Sequence, residues 1–250
     1  MSRRIITDEI WTQIQQTMQF YGCYRSRNSK NIMEAILWKL RTGAPWRDIP
    51  EDLCPWQTAY NRFNLWASKG LWGEFFFKLR GVLDKEWVFI DGSYVRAHQH
   101  ASGARRGEDR AIGKSRGGAT TKIHLAVDAS GYPIDFEITG GEVHDSQVAS
   151  QLMGMVGEAE YLIADKGYDS ENIREIARNH HMIPIIPRKS NSKKLNIEFD
   201  HYLYGLRHLV ENAFARLKHF RGIATRFEKL ARNYKSMLFL ACSFIWCKAK

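Results

Sequence analysis

The chain has 250 residues, 44% of them hydrophobic, which suffices for one core and a small additional domain. Its formal net charge of +10 suits a polyanionic partner, and DNA is the partner that we expect. The longest apolar run, residues 237–247, is too short to span a bilayer, and the N-terminus lacks the apolar stretch of a signal peptide. We therefore expect a cytoplasmic protein with no membrane partner.

The first part of the chain has the periodicity of helices, and Thr7 is a candidate N-cap with Ile10 at the third helical position. The predicted helices run from Thr7 to about Met18 or Phe20, and over residues 29–41, 56–68 and 71–82. Helix, Gly/Pro turn, helix is typical of a helix-turn-helix, with 56–68 as the candidate recognition helix. The alternative is a plain helical bundle in which the aromatic residues of 56–68 are core only. We expect residues 1–85 to form a helical DNA-binding domain.

The pattern changes from Glu86 onward, where strands alternate with helices. The predicted strands cover residues 87–91, 121–127, 133–139, 161–165 and 182–186, and the predicted helices cover 145–156, 170–179 and a long helix from near Asp200. This order is typical of an α/β, ribonuclease H-like fold, which we expect over residues 86–250 as a catalytic domain. In that fold the first and fourth strands are neighbours, so Asp91 and Asp165 are expected side by side.

Three acidic residues occupy positions suited to metal ligands. Asp91 ends one apolar run, Asp165 ends a second, and Glu211 lies within the last predicted helix. Carboxylates at the ends of two buried strands, with a third on a helix, can hold a pair of hard divalent cations. Such a pair can cut or join a phosphodiester. We predict Asp91, Asp165 and Glu211 as catalytic residues and as metal ligands.

Residues 204–218, taken as one helix, place four polar side chains on one side. Tyr204, Arg207, Glu211 and Lys218 fall within an arc of roughly 60°, beside an apolar stripe. The alternative interpretation is a solvated face that carries an Arg207–Glu211 pair at i,i+4.

With these residues and their spacing, the chain resembles the DDE transposases of bacterial insertion sequences, of the insertion-sequence-five type and its four-type relatives. The third-carboxylate signature of that group is Tyr, two residues, Arg, three residues, Glu, six residues, Lys, which Tyr204, Arg207, Glu211 and Lys218 reproduce. Further similar stretches begin at Asp91, Gly113, Ala164 and Arg207, and the resemblance covers essentially the whole chain. One departure is Gly92, because Asp followed directly by Ser or Thr is frequent in the group.

The resemblance implies a transposase that cleaves DNA at the ends of its element and transfers the strand into target DNA by two-metal phosphoryl transfer. It implies two Mg²⁺ ions with Mn²⁺ as a substitute, and at least a dimer on DNA, in a bacterial protein associated with the nucleoid. It also implies that Tyr204, Arg207 and Lys218 contact DNA near the scissile phosphate. Two rivals stay open, a ribonuclease H-like nuclease that cuts without joining and an inactive, DNA-binding regulator.

Basic residues cluster near the predicted ligands, and Arg96 and Lys122 are predicted DNA contacts. The two clusters comprise positions 96, 105, 106, 110, 114, 116 and 122, and positions 216, 218, 221, 226, 229, 232 and 235. The sequence around Gly113 lacks the glycine spacing of a P-loop, so no nucleotide cofactor is expected. Asp145 and Asp169 are interpreted as helix N-caps, with a role of Asp145 at the site as the alternative. His98 and His100 are interpreted as DNA contacts or exposed residues. The four cysteines have no zinc-binding spacing and are interpreted as reduced core residues.

Overall fold

The computed structural model describes residues 3–23, 27–103, 110–192, 194, 196 and 199–248. The chain forms two compact units. The first unit contains Met1–Gly81, Ala97–Arg110 and Leu217–Lys250, and the second contains Val82–Arg96 and Ala111–Arg216. Among the described residues, no helix is both long and apolar enough to cross a lipid bilayer.

The helices and strands are numbered along the chain. The α-helices are α1 Asp8–Phe20, α2 Ser29–Thr42, α3 Trp56–Ser68, α4 Leu71–Leu79, α5 Asp145–Val156, α6 Glu171–Asn179, α7 His201–Gly205, α8 His208–Lys218, α9 Arg221–Ala224 and α10 Ala231–Cys247. The strands are β1 Trp87–Ala97, β2 Gly113–Ser115, β3 Gly118–Val127, β4 Pro133–Gly140, β5 Tyr161–Ala164, β6 Ile183–Ile185 and β7 Thr225–Arg226. Short 3₁₀ turns cover Trp46–Asp48, Gln99–Ser102 and Lys166–Tyr168.

The first unit is helical, as the sequence predicts. Thr7 caps α1, and its side chain accepts a hydrogen bond from the Ile10 amide at 3.3 Å. Most residues of α2 are buried, and the helix ends at Gly43, whose left-handed backbone (φ 69°) only glycine adopts readily. Residues 43–55 then connect α2 to α3 and include a 3₁₀ turn, so the connection is longer than the tight turn of a helix-turn-helix.

The last segment of the chain packs with these N-terminal helices, because α10 is apolar over most of its surface. α10 contacts α4 and α3, and the rings of Phe76 and Phe239 lie 5.7 Å apart. Leu217–Lys250 therefore belongs to the first unit. This differs from the predicted division at about Lys85, which assigned the segment to the catalytic domain.

The second unit is built on a mixed sheet in which β3, β1, β5 and β6 are neighbours in that order. β1 pairs antiparallel with β3 and parallel with β5, while β2 and β4 both pair with β3. This is the strand order of a ribonuclease H-like fold, so the predicted α/β class is confirmed. One face of the sheet packs against α5 and α6. The buried residues of this layer include Val88, Ile90, Ala149, Leu152, Met153, Leu162, Ala164, Ile173 and Ala177.

The structure corrects two predicted elements that carry site residues. β1 extends to Ala97, so Asp91 lies inside a strand rather than at its end. The long helix expected from near Asp200 is broken into α7 and α8. Gly205, a poor helix former, ends α7, and the Arg207 amide bonds to the Tyr204 carbonyl three residues back. The single-helix arc drawn from Tyr204 to Lys218 is therefore wrong.

Candidate active site

Asp91 and Asp165 occupy neighbouring positions on two parallel strands. The last register pair between β1 and β5 is Ile90 with Ala164, and each aspartate is the next residue. β5 ends there, and Asp165 caps the following 3₁₀ turn by accepting a hydrogen bond from the Gly167 amide at 2.7 Å. The predicted adjacency of the two aspartates thus follows directly from the strand register.

The surroundings of Asp91 disfavour its negative charge. Burial raises the pKa of the Asp91 carboxyl, and the charges of Asp165 and Asp145 raise it further. The Gly92 amide, at 2.8 Å, and the Arg207 guanidinium lower the pKa, but the net direction is upward. Carboxylates gathered in this way create a site that attracts a cation.

Arg207 links Asp91 to the third predicted ligand. Its Nη1 donates to Asp91 Oδ2 at 2.9 Å, and its Nη2 donates to Glu211 Oε1. The Arg207–Glu211 pair at i,i+4 is therefore present, as the alternative interpretation of this segment required. Arg207 also joins it to the sheet, so this pair belongs to the same centre as Asp91.

The residues fit a divalent cation only in part. Asp91 and Asp165 provide hard oxygen donors of the kind that Mg²⁺ prefers. Within the part of the chain that the structure describes, however, no group of three His, Cys, Asp or Glu side chains is close enough to hold a metal ion. Glu211 is separated from Asp91 by the Arg207 guanidinium, and its side chain is 54% exposed. The pair of aspartates is assembled in this structure, whereas the triad is not.

The predicted DNA contacts lie in varied surroundings. Tyr204 is half-buried in α7 beside the ring of Phe199, and Arg96 is exposed on β1. Lys218 ends α8 within the first unit, and burial lowers the pKa of its ammonium group. These three remain predictions as DNA contacts. Of the basic clusters, Lys114 and Arg116 are exposed, while positions 105 and 106 lie outside the described residues.

Lys122 does not lie at the surface as a DNA contact would. Its side chain is 4% exposed, and Nζ lies 2.7 Å from Asp145 Oδ2 and 3.4 Å from the Val143 carbonyl oxygen. The ammonium group also lies over the Tyr94 ring at 4.7 Å. The position of Lys122 therefore argues against the predicted DNA contact, because a buried, paired lysine cannot reach a phosphate without leaving its partners.

Neither spare aspartate caps a helix. Asp145 is the first residue of α5, and His144 is the N-cap, accepting from the Ser146 amide. Asp169 precedes Ser170, the N-cap of α6, and binds Arg174, Arg188 and the Lys189 amide instead. Asp169 thereby holds the loop after β6 against α6.

Asp145 and Tyr168 are close to the predicted ligands, although sequence reasoning gave them no firm role. Burial raises the pKa of Tyr168 well above its ordinary value, with further contributions from the charges of Asp145, Asp91 and Asp165. Among the described atoms, the buried Tyr168 hydroxyl has no hydrogen-bond partner. The signal in the sequence was Gly92, the departure from the resembled motif, because its missing side chain leaves the space that Asp145 occupies.

The predicted recognition helix α3 is partly core and partly surface. Phe63 and Trp66 are buried in an aromatic cluster with Trp72, as the bundle interpretation expects. Tyr60 is exposed, and the Arg47 guanidinium lies 5.5 Å from the Trp56 ring. The role of α3 as a recognition helix therefore stays a prediction. His98 and His100 lie at another 3₁₀ turn of this unit, and the structure gives them no metal partner among the described residues.

Two family models match the chain. Residues 83–246 match the family described as "Transposase DDE domain", and residues 6–76 match "Putative transposase of IS4/5 family". Their boundary falls between residues 76 and 83, close to the predicted domain division.

Curated relatives match parts of the chain. A protein of Brucella ovis, "Putative transposase for insertion sequence element IS6501", is 35% identical over 52% of this chain and 99% of its own length. "Putative transposase for insertion sequence element IS402" of Burkholderia cepacia is 30% identical over 50% of this chain and 62% of its own length. "Uncharacterized protein y4sN" of Sinorhizobium fredii is 42% identical over 32% of this chain, which spans 63% of that protein.

Among solved structures, a pre-cleavage Mos1 transpososome aligns with 90% of this chain and 80% of its own chain. Its TM-score is 0.29 and its identity is 13%.

Proposed function

We propose that this chain, which belongs to the DDE transposases of insertion sequences, cleaves DNA at the ends of its element and transfers the freed strand into target DNA. The observation that carries the proposal is the adjacency of Asp91 and Asp165 on parallel strands, with Glu211 joined to Asp91 through Arg207. Of these residues, Arg207 and Glu211 belong to the Tyr-Arg-Glu-Lys signature of the resembled group.

Asp91 and Asp165 would hold divalent metal, and Glu211 would complete the set of ligands for two ions, Mg²⁺ with Mn²⁺ as a substitute. When bound, such ions activate water or a DNA 3′-hydroxyl and stabilise the leaving oxyanion. The residues themselves bring two carboxyl groups together at the end of β5, where burial first, and the charges of Asp165 and Asp145 next, raise the pKa of Asp91. Glu211 must part from Arg207 before it can join them.

The proposed partner is DNA, both the element ends and the target. Arg207, once released from Asp91, can donate two parallel hydrogen bonds to a phosphate. Arg96 and the exposed Lys114 and Arg116 lie around one end of β3, where Arg96 pairs with Thr120 and Thr120 pairs with Gly113. Phosphate contacts of this kind would position the duplex without reading its sequence. Cutting two ends implies at least a dimer on DNA.

The test is an assay with the full chain, labelled DNA of the element end, a target plasmid and Mg²⁺ or Mn²⁺. We expect cleaved ends and joined products from the wild type. Asp91→Asn, Asp165→Asn and Glu211→Gln should each reduce both products by at least about 100-fold, since each removes a charged ligand but keeps its shape. Asp128→Asn is the matched control, because Asp128 is a buried acid that binds the Tyr132 and Ser130 amides in the β3–β4 turn.

Each other outcome has a defined meaning. Cleavage without joined products would favour the nuclease that cuts only. Binding of end DNA without cleavage by the wild type would favour the inactive regulator. Near wild-type cleavage by any of the three variants would show that the altered residue is not a ligand.

A further inference from the structure

A buried cluster of three charged or titratable side chains lies against the residue that follows Asp91. Lys122 Nζ is 2.7 Å from Asp145 Oδ2, and His124 Nδ1 is 3.2 Å from Asp145 Oδ1. The side chains of Lys122 and His124 are 4% and 1% exposed. The far ring nitrogen of His124 lies 2.9 Å from Thr139 Oγ1. Lys122 therefore holds Oδ2 of Asp145 by a hydrogen bond, while Oδ1 lies beside the His124 ring without a hydrogen bond among the described atoms.

The strand register brings this cluster to β1. Gly92 pairs with His124 and Tyr94 pairs with Lys122, and directly opposed residues of an antiparallel pair point to the same face of the sheet. Asp91 pairs with Leu125 and so points to the opposite face. The cluster and the Asp91 carboxylate therefore lie on opposite faces of the sheet, with β1 between them.

Gly92 is what allows Asp145 to reach the strand. A Cβ atom at position 92 would lie 2.0 Å from Asp145 Oδ1, so the Asp145 carboxylate would have to move, and a tight 3.1 Å from Lys122 Cε. The carboxylate of Asp145 therefore packs on the backbone of Gly92. Space, rather than an unusual backbone angle, requires glycine at this position.

The contact lies where β1 loses a neighbour. The pairing of β1 with β5 ends at Ile90 and Ala164, one residue before Asp91. Beyond that point, Asp145 on α5 reaches Gly92 and is itself anchored to β3 through Lys122 and His124. The cluster ties three elements together at the residue next to Asp91.

The electrostatic coupling agrees with this placement. Burial alone would raise the pKa of Asp145, but its contacts with His124 and Lys122 lower it below the ordinary value. The carboxylate therefore stays charged, and its charge contributes to the raised pKa of Asp91.

We propose that Asp145, fixed by Lys122 and His124, is a positioning residue of the active site that holds Asp91 in place by packing on Gly92. This inference rests on the proposed function. It adds Asp145 to the active site as a residue that positions one of the three expected ligands. It also gives one shared role to Gly92 on β1, to Lys122 and His124 on β3, and to Asp145 at the start of α5.

The test measures Mn²⁺ affinity by calorimetry on the full chain without DNA, together with thermal stability. Wild type is compared with Asp91→Asn, which identifies the binding that belongs to the catalytic pair. Asp145→Asn and Lys122→Met are each expected to weaken that binding roughly 10- to 100-fold, the usual cost of losing a residue that orients a ligand. A purely electrostatic influence would give opposite signs, because the first variant removes a negative charge and the second a positive one.

The matched control is Glu228→Gln, which unpairs the buried Lys39 at 3.3 Å in the other unit. This variant should lose thermal stability and keep its Mn²⁺ affinity. If a single variant in the cluster does not fold, the double variant Lys122→Met/Asp145→Asn removes both charges and avoids an unpaired buried ion. Its Mn²⁺ affinity is expected to fall as well.

Two results would overturn the inference: unchanged Mn²⁺ affinity in the folded variants, or a weaker affinity for Asp145→Asn with a stronger one for Lys122→Met. Failure of the proposed function is seen separately. In that case wild type would bind Mn²⁺ through Asp91 without cleaving end DNA, and the effect of Asp145 on binding could still be measured.

Discussion

The positive side chains that lie on the two faces of β1 near Asp91 differ in how deeply they are buried. On one face Arg207, with 23% of its side chain exposed, binds Asp91 and the half-exposed Glu211. On the other face Lys122 is buried and bound to Asp145. A partly exposed guanidinium can leave its partners for a phosphate at a smaller cost than a buried ammonium group can. On one face Arg207 can therefore move to another partner, whereas on the other face Lys122 stays bound to Asp145.

The largest difference between the faces is expected in stability. Asp145→Asn leaves the buried Lys122 without its carboxylate and should reduce the free energy of unfolding by about 3 kcal/mol. Arg207→Ala removes a pair that is partly exposed and should cost less than about 1 kcal/mol. Urea unfolding of the two variants measures both values. Equal losses would remove the distinction between a fixed and an exchangeable face.

A smaller effect is expected on metal affinity. Without DNA, Arg207 competes with a divalent ion for Asp91. Arg207→Ala should therefore bind Mn²⁺ about tenfold more tightly, which corresponds to a modest fraction of the interaction energy of two charges near the protein surface. Arg188→Ala is the matched control, since Arg188 pairs with Asp169 and Glu171 elsewhere in the same unit. Weaker Mn²⁺ binding by Arg207→Ala would mean that the arginine supports the ligands instead of competing with them.

The smallest effect is expected in the salt dependence of DNA binding. Arg207→Ala, Lys218→Ala and Arg96→Ala should each flatten the plot of log affinity against log salt by about one unit per lost phosphate contact. Lys122→Met should leave the slope unchanged, because its ammonium group is buried against Asp145. A slope that changes for Lys122→Met alone would show that Lys122 contacts DNA, contrary to the conclusion drawn from its burial.

Local patterns in the sequence were sufficient where local contacts decide the structure. Thr7 as the N-cap of α1, α5 over Asp145–Val156 and the adjacency of Asp91 and Asp165 are all confirmed. Each depends on capping, helical periodicity or the order of the strands. These features involve neighbours in the sequence or a general rule of the fold.

Features decided by distant contacts were missed. The sequence around Lys122 does not distinguish it from a surface lysine. Its burial depends on pairing with Asp145, which lies on another element of the fold. The break between α7 and α8 lies within an otherwise helical pattern, and a single glycine is a weak signal for it. The packing of α10 on α4 also joins segments far apart in the chain. Deleting residues 1–85 would therefore remove α3 and α4 from α10, so point variants of Trp56 and Tyr60 are the better test of end recognition.

The most direct test of the proposed active site is the anomalous diffraction of Mn²⁺ in crystals of the full chain with element-end DNA. We expect Mn²⁺ bound by Asp91 and Asp165, the Glu211 carboxylate turned toward the metal, and Arg207 moved from Asp91 to a phosphate. This expectation would be contradicted by Mn²⁺ bound away from both aspartates, or by Arg207 still joining Asp91 to Glu211 while the end DNA and the metal are bound.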